Sequence, residues 1–260
     1  SKPAGSDAGS AKSSSKNPAV ELQVFAANSL EKALPEVQEL YTDQAGTTFA
    51  DTQFKASGDL VEQMKAGAAV DVLITASKGT MDDAETAELV DTDTREDMFV
   101  NDLVIIRAEG SDTKVEAIAD VASLDGKIAI GDAKTVPAGK YANQALAFVG
   151  LYTGTEGDDG EYAPEIADKV ALADKVGTAA AYVSTGDCVA SFVYSSDIYR
   201  YDGIEEAFVC PEDSHKPIVY PGAVAESSEH ADEAKAFIDF CLSNKKAQKI
   251  WAKYGFELSE

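Results

Sequence analysis

Short apolar runs alternate with amphipathic segments along the chain, and this alternation predicts strands and helices in turn. The first apolar run, 22–26, precedes an amphipathic helix predicted over 29–43. Further strands are predicted at 48–54, 72–75, 103–107, 128–131, 189–194, 207–210 and 217–225. Further helices are predicted at 57–66, 78–88, 138–149, 175–185, 231–242 and 244–254. This order is typical of α/β layers, so we expect mainly parallel sheets flanked by helices.

Four junctions share one design, in which a strand or loop leads through small residues into the start of a helix. They are 27–30 (ANSL), 56–59 (ASGD), 136–139 (VPAG) and 175–178 (KVGT). A helix start exposes free backbone N–H groups and a partial positive charge, which can bind an anion. Ligands of open α/β sheets bind beyond the carboxyl ends of strands, so the four junctions together predict a cleft. Taken alone, Ser29 is equally well explained as an ordinary N-cap.

The net charge of the chain limits the classes of partner that it can bind. The 260 residues are enough for two lobes, and 46 acidic against 22 basic residues give a formal charge of −24. Nucleic acid and anionic membranes are therefore unsuitable partners. A small anion is also repelled at long range, so local dipoles inside a closed pocket must hold it. No run of 18 apolar residues predicts a membrane-spanning helix.

Residues 1–18 are rich in Ser, Ala, Gly and Lys and lack a hydrophobic period. This composition predicts a flexible tether rather than structure. A tether ahead of a compact body suits an exported protein that is anchored at the cell surface, in a mature or trimmed form.

Enzyme signatures are missing: the chain contains no GxSxG, Walker A, HExxH or GxGxxG motif. His215 and His230 are predicted on the surface, and three cysteines (an odd number) do not describe a disulfide framework. We therefore expect no catalytic residue, no metal-cation site and no cofactor. Tyr194 ends a predicted strand, so its hydroxyl can reach the cleft, although a core tyrosine is an equal alternative.

Six segments of the chain resemble the molybdate-binding proteins of ABC importers. They are 25–30 (FAANSL), 55–77, 131–146, 192–197 (FVYSSD), 211–224 (PEDSHKPIVYPGAV) and 253–256 (KYGF). The segments follow the order and spacing of that family, and the resemblance covers about residues 20–257. One departure is Asn28, where the family usually has Ala or Ser.

The resemblance implies a two-lobed periplasmic-binding fold that closes on an oxyanion. It also implies ligand contacts by residue match: Ser29 and Ser57 through hydroxyl and backbone, Ala138 and Val176 through backbone N–H, and Tyr194 through its hydroxyl. All five are neutral donors, which could hold a dianion without any buried cation. Protonated phosphate needs a carboxylate acceptor, and none of the five supplies one. Sulfate, molybdate and tungstate therefore rank above phosphate.

The resulting hypothesis is an extracytoplasmic, monomeric binding protein that captures molybdate or tungstate for the membrane permease of an ABC transporter. We expect lobe I at 19–101 and 218–260 and lobe II at 102–217, with crossings near Asn101 and Lys216. The alternatives are a binding protein for sulfate or a chelated metal, or an α/β enzyme acting on an anionic substrate.

Overall fold

The computed structural model describes residues 19–259, so the tether predicted over 1–18 lies outside the described residues. The strands are β1 (Glu21–Leu22), β2 (Val24–Ala27), β3 (Thr48–Phe49), β4 (Gln53–Lys55), β5 (Val72–Ile74), β6 (Glu96–Asn101), β7 (Leu103–Ala108), β8 (Ile128–Gly131), β9 (Val170–Ala173), β10 (Ala190–Tyr194), β11 (Ile204–Val209), β12 (Ile218–Val224) and β13 (Glu257–Leu258). The helices are α1 (Ala33–Ala45), α2 (Ser57–Lys65), α3 (Lys78–Thr86), α4 (Pro137–Phe148), α5 (Pro164–Ala167), α6 (Val176–Ser184), α7 (Ala231–Ser243) and α8 (Lys245–Lys253).

Two sheets organise these elements, and a short parallel pair of β1 and β3 lies beside them. The six-stranded sheet has the order β13-β6-β12-β5-β2-β4, and the five-stranded sheet has the order β11-β7-β10-β8-β9. Strands before residue 102 and after residue 217 belong to the six-stranded sheet or to the short pair, and those between belong to the five-stranded sheet. The α/β fold class is thus as predicted.

The strand directions differ from the predicted mainly parallel arrangement, because each sheet is mixed. Strands β4, β2 and β5 are parallel, as are β9, β8 and β10. The other neighbours in both sheets are antiparallel. The cause is the way the chain changes sheets: β6 passes through the single residue Asp102 into β7, and β12 returns to pair with β5 and β6.

Two local predictions were wrong, and some elements were not predicted. The predicted strand 48–54 is split between β3 and β4, which belong to different sheets. The helix predicted from residue 29 begins at Ala33, and Asn28–Leu30 form a 3-10 turn. Pro35 lies in the first turn of α1, where its missing N–H costs no intrahelical hydrogen bond. Strands β6, β9 and β13 and helix α5 were not predicted.

One hydrophobic core cluster includes residues of both sheets. Phe99 of β6 packs with Trp251 of α8, their ring centroids 4.4 Å apart, and Tyr220 of β12 packs edge-on against Phe256. All of these side chains are buried. The three cysteines are buried and free, and β7 lies between the strands next to Cys188 and Cys210.

Candidate functional site

A cavity of about 160 Å³ lies where the carboxyl ends of strands from both sheets meet. All five residues predicted for the site line this one cavity: Ser29, Ser57, Ala138, Val176 and Tyr194. The two serines belong to segments that follow β2 and β4 of the six-stranded sheet. The other three belong to segments of the five-stranded sheet, so the cavity is built from both.

Ser29 lies in the 3-10 turn after β2 and does not cap a helix, because its hydroxyl oxygen is 2.7 Å from the hydroxyl oxygen of Tyr220. The amide nitrogen of Asn101 lies 3.4 Å from the same Tyr220 oxygen. That nitrogen can only donate, because the other end of the amide accepts the N–H of Asp102. The Ser29–Tyr220 hydrogen bond can run in either direction. With Tyr220 accepting from Asn101 and donating to Ser29, the Ser29 proton is free to point into the cavity.

Ser57 is the first residue of α2, and it also does not act as a cap. Its hydroxyl oxygen accepts the backbone N–H of Ala76 at 2.9 Å. A hydroxyl has one proton, and here that proton is free to donate into the cavity. Ser57 is therefore held as an acceptor by the protein, and both serines can present a hydroxyl proton to a ligand.

Tyr194 ends β10, and only 5% of its surface is exposed. Within residues 19–259, its buried hydroxyl has no hydrogen-bond partner. Burial raises the pKa of this phenol well above 10, so it stays protonated and remains a donor at neutral pH. A buried polar group without a partner is costly, and a ligand acceptor in the cavity would satisfy it.

Ala138 and Val176 contribute backbone rather than side chain. Ala138 follows Pro137 at the start of α4, and Val176 is the first residue of α6. N–H groups in the first turn of a helix have no intrahelical partner. Gly139 holds the start of α4 against β8, because a Cβ there would lie 1.8 Å from the carbonyl oxygen of Gly131.

The sequence did not predict the charged residues that line the cavity. They are Lys55, Asp174, Lys175 and Arg200. Asn28 also lines the cavity, and it is exposed at the rim.

The guanidinium of Arg200 is a nearly buried cation, which the sequence reasoning had left out. It pairs with the buried carboxylate of Asp197 at 3.0 Å and with Glu31, from the other side of the cleft, at 3.2 Å. Asp197 in turn accepts the backbone N–H of Tyr194 at 2.9 Å. Burial raises the pKa of Asp197, while Arg200 acts in the opposite direction. Two carboxylates thus balance the one guanidinium.

The sequence profile of the bacterial extracellular solute-binding proteins matches residues 22–257. The chain belongs to this family. The molybdate-binding protein ModA of Escherichia coli (strain K12) is 33% identical over 242 residues, which cover 91% of this chain and 89% of ModA. YvgL of Bacillus subtilis (strain 168), named as a candidate substrate-binding lipoprotein of an ABC transporter, is 30% identical over 91% of this chain and 86% of its own.

A solved structure shows the same fold. It is the substrate-binding domain assigned to a molybdenum ABC transporter from Clostridium difficile, with a TM-score of 0.77 and 33% identity. The match covers 93% of this chain and all of that domain. The family resemblance read from the sequence and the two-lobed periplasmic-binding fold are therefore confirmed, and the family is one of extracellular transport proteins.

Proposed function

We propose that this protein captures molybdate or tungstate outside the cytoplasm and presents it to the membrane permease of an ABC transporter. The observation that carries the proposal is the buried Tyr194 hydroxyl, which has no partner in the described chain and lines the same cavity as two serine hydroxyls and two helix starts. A tetrahedral dianion supplies the acceptors that this set of donors lacks.

The cavity lies between the two lobes that we propose, 19–101 with 218–260 and 102–217. The assignment of strands to the two sheets supports these boundaries. An anion in the cavity is then bound by Ser29 and Ser57 of one lobe and by Ala138, Val176 and Tyr194 of the other.

Donor chemistry supports a dianion over phosphate. Each hydrogen bond to a charged group contributes about 1.5–3 kcal/mol, so several together give tight binding. Protonated phosphate needs an acceptor, and Asp174 is the only carboxylate among the lining residues of the described chain. Asp174 is exposed at the rim and already accepts the hydroxyl of Thr178 at 2.6 Å. We therefore rank phosphate below the fully deprotonated oxyanions.

An enzyme acting on an anionic substrate fits this cavity less well. A serine nucleophile needs a general base within hydrogen-bond reach. The oxygen of Ser29 contacts Tyr220 and that of Ser57 contacts the Ala76 N–H, and the lining of the described chain contains no histidine.

Calorimetric titration with molybdate, tungstate, sulfate and phosphate tests the proposal. We expect tight binding of molybdate and tungstate, weaker binding of sulfate and hardly any binding of phosphate at neutral pH. Tight phosphate binding would contradict the donor argument, and its loss in Asp174→Asn would identify the acceptor. Tightest binding of sulfate would favour a sulfate carrier.

Three further parts of the proposal concern the state of the protein. We propose that it is a monomer, that it needs no cofactor, and that the segment 1–18 tethers it at the cell surface as a lipoprotein. The name of YvgL supports the last point. No helix within residues 19–259 is long and apolar enough to cross a bilayer.

A further inference from the structure

Two lysines face the cavity from opposite sides of the cleft. Lys55 is the last residue of β4 in the six-stranded sheet, and Lys175 immediately precedes α6 beside the five-stranded sheet. Lys55 is half-buried and Lys175 is exposed. Lys55 lies two residues before Ser57, and Lys175 directly precedes Val176.

These two lysines differ from others in the cleft, because neither forms a salt bridge with a carboxylate of residues 19–259. A second, larger cavity adjoins the first and is lined by Lys78, Lys140 and Lys216. Each of those three is paired with a carboxylate, at 3.3, 3.4 and 2.5 Å respectively. Their positive charges are therefore largely balanced by ion pairs. Among residues 19–259, Lys55 has no such pair, and Lys175 has only the coulombic attraction of its chain neighbour Asp174.

The net negative charge of the chain makes the two lysines important for the approach of an anion. A formal charge of −24 repels an approaching dianion. Arg200 does little against this repulsion, because Asp197 and Glu31 balance it. Asp174, the one carboxylate among the lining residues of the described chain, adds to the repulsion, and the hydrogen bond from Thr178 lowers its pKa, so it stays charged. Lys55 and Lys175 are left as the attractive charges at the entrance.

We propose that Lys55 and Lys175 are entrance lysines, which draw the oxyanion into the cavity and select a doubly charged over a singly charged oxyanion. The inference rests on the proposed function and deepens it. Neutral donors bind the anion, and the two ammonium groups discriminate between anions by their charge. Their attraction scales with the charge of the ligand. It acts mainly on association and is screened over about 10 Å at 0.1 M salt.

The test compares Lys55→Gln/Lys175→Gln with Lys245→Gln/Lys249→Gln, which removes two exposed lysines of α8 that do not line the cavity. Association and dissociation of tungstate are measured by stopped-flow fluorescence at low salt and at 1 M NaCl. We expect the entrance variant to associate about tenfold more slowly at low salt, with little change in dissociation. The difference disappears at 1 M NaCl, and the control behaves as wild type.

Asp174→Asn should change the association rate in the opposite direction, because it removes a negative charge from the lining of the same cavity. We expect faster association of tungstate at low salt. Unfolding of the variants is excluded by their melting temperatures without ligand.

Perrhenate tests the selection by charge, since it is a tetrahedral oxyanion of similar size to tungstate with one negative charge. Because the attraction scales with the charge of the ligand, we expect the entrance variant to slow the association of perrhenate by only about threefold when it slows that of tungstate by about tenfold. The preference for tungstate over perrhenate then falls by roughly threefold.

The outcomes separate this inference from the proposed function. A wild-type protein that does not bind tungstate refutes the proposed function itself. Tungstate binding with unaltered association in the entrance variant, or with equal slowing in the control, overturns the role of the lysines. If the entrance variant keeps the wild-type ratio of tungstate to perrhenate association rates, the lysines do not discriminate by charge.

Discussion

The hydroxyl oxygens of Ser29 and Tyr220 lie 2.7 Å apart in the core, although 191 positions separate the two residues in the sequence. Asn101 donates to the same Tyr220 oxygen, and its amide also contacts the hydroxyls of Ser195 and Ser196, at 2.7 and 2.8 Å. This chain of hydrogen bonds begins where the backbone crosses between the sheets and ends at the cavity. With Tyr220 as the donor to Ser29, this chain leaves the Ser29 proton free to point into the cavity.

Tyr220→Phe tests this orientation, because it keeps the buried ring and removes only the hydroxyl. Ser29 then loses the donor that holds its oxygen, and its proton is no longer directed to the cavity. One such hydrogen bond is worth about 0.5–1.5 kcal/mol, so we expect roughly 2- to 12-fold weaker tungstate binding by calorimetry. Unchanged affinity would show that Ser29 is oriented without Tyr220.

Ser29→Ala and Ser57→Ala each remove one donor to the anion. A buried charge that lacks one donor loses about 1–3 kcal/mol, or roughly 5- to 150-fold in affinity. Ser243→Ala is the matched control, because its exposed hydroxyl donates to the carbonyl of Asp239 away from the cavity. Variants of Ser29 and Ser57 that fold normally and keep full affinity would restrict these hydroxyls to a structural role.

Tyr194→Phe keeps the ring and its packing against Tyr141 but deletes a hydroxyl that the rest of the described chain does not use. We therefore expect weaker tungstate binding and an unchanged or higher melting temperature without ligand. Tyr162→Phe is the matched control: its hydroxyl donates to Asn143 at 2.7 Å, so that variant should lose stability and keep affinity. A Tyr194→Phe protein with full affinity and a lower melting point would remove Tyr194 from the site.

The parts of the molecule predictable from sequence are those encoded by local pattern. Small residues lie in consecutive positions at the four junctions, which follow β2 and β4 or precede α4 and α6. The family resemblance then allowed single residues, such as Ser29 and Val176, to be predicted as ligand contacts by residue match. Strand β9 escaped prediction because it is short and mostly half-exposed. Strand β6 escaped because its first two residues, Glu96 and Asp97, end a segment rich in acidic residues, DDAETAELVDTDTRED at 82–97.

The missed site residues depend on contacts between distant segments. Tyr220 was predicted as an ordinary strand residue and Asn101 as part of a crossing between lobes. Only the pairing of β12 with β6 brings them to Ser29. Arg200 had one local signal, its spacing of three residues from Asp197 on the turn after Tyr194. Its contact with Glu31 spans 169 positions and could not be read from either segment alone.

The contact between Glu31 and Arg200 also bears on the last prediction, because it ties the two sides of the cleft together. An anion that touches donors on both sides binds the closed arrangement better than an open one, so it must shift the population towards closure. Small-angle X-ray scattering should therefore give a smaller radius of gyration for the protein saturated with tungstate than for the free protein.

Glu31→Gln removes the charge that ties Arg200 across the cleft. Glu31 is 39% exposed, and such a pair contributes about 0–1 kcal/mol, so we expect tungstate to dissociate at most roughly fivefold faster. The free variant should scatter as a slightly larger particle. Glu39→Gln, on the exposed face of α1, is the control and should match wild type. If tungstate at saturation leaves the scattering of the wild-type protein unaltered, the lobes do not close on the ligand, and a faster-dissociating Glu31 variant would then have to act through Arg200 alone.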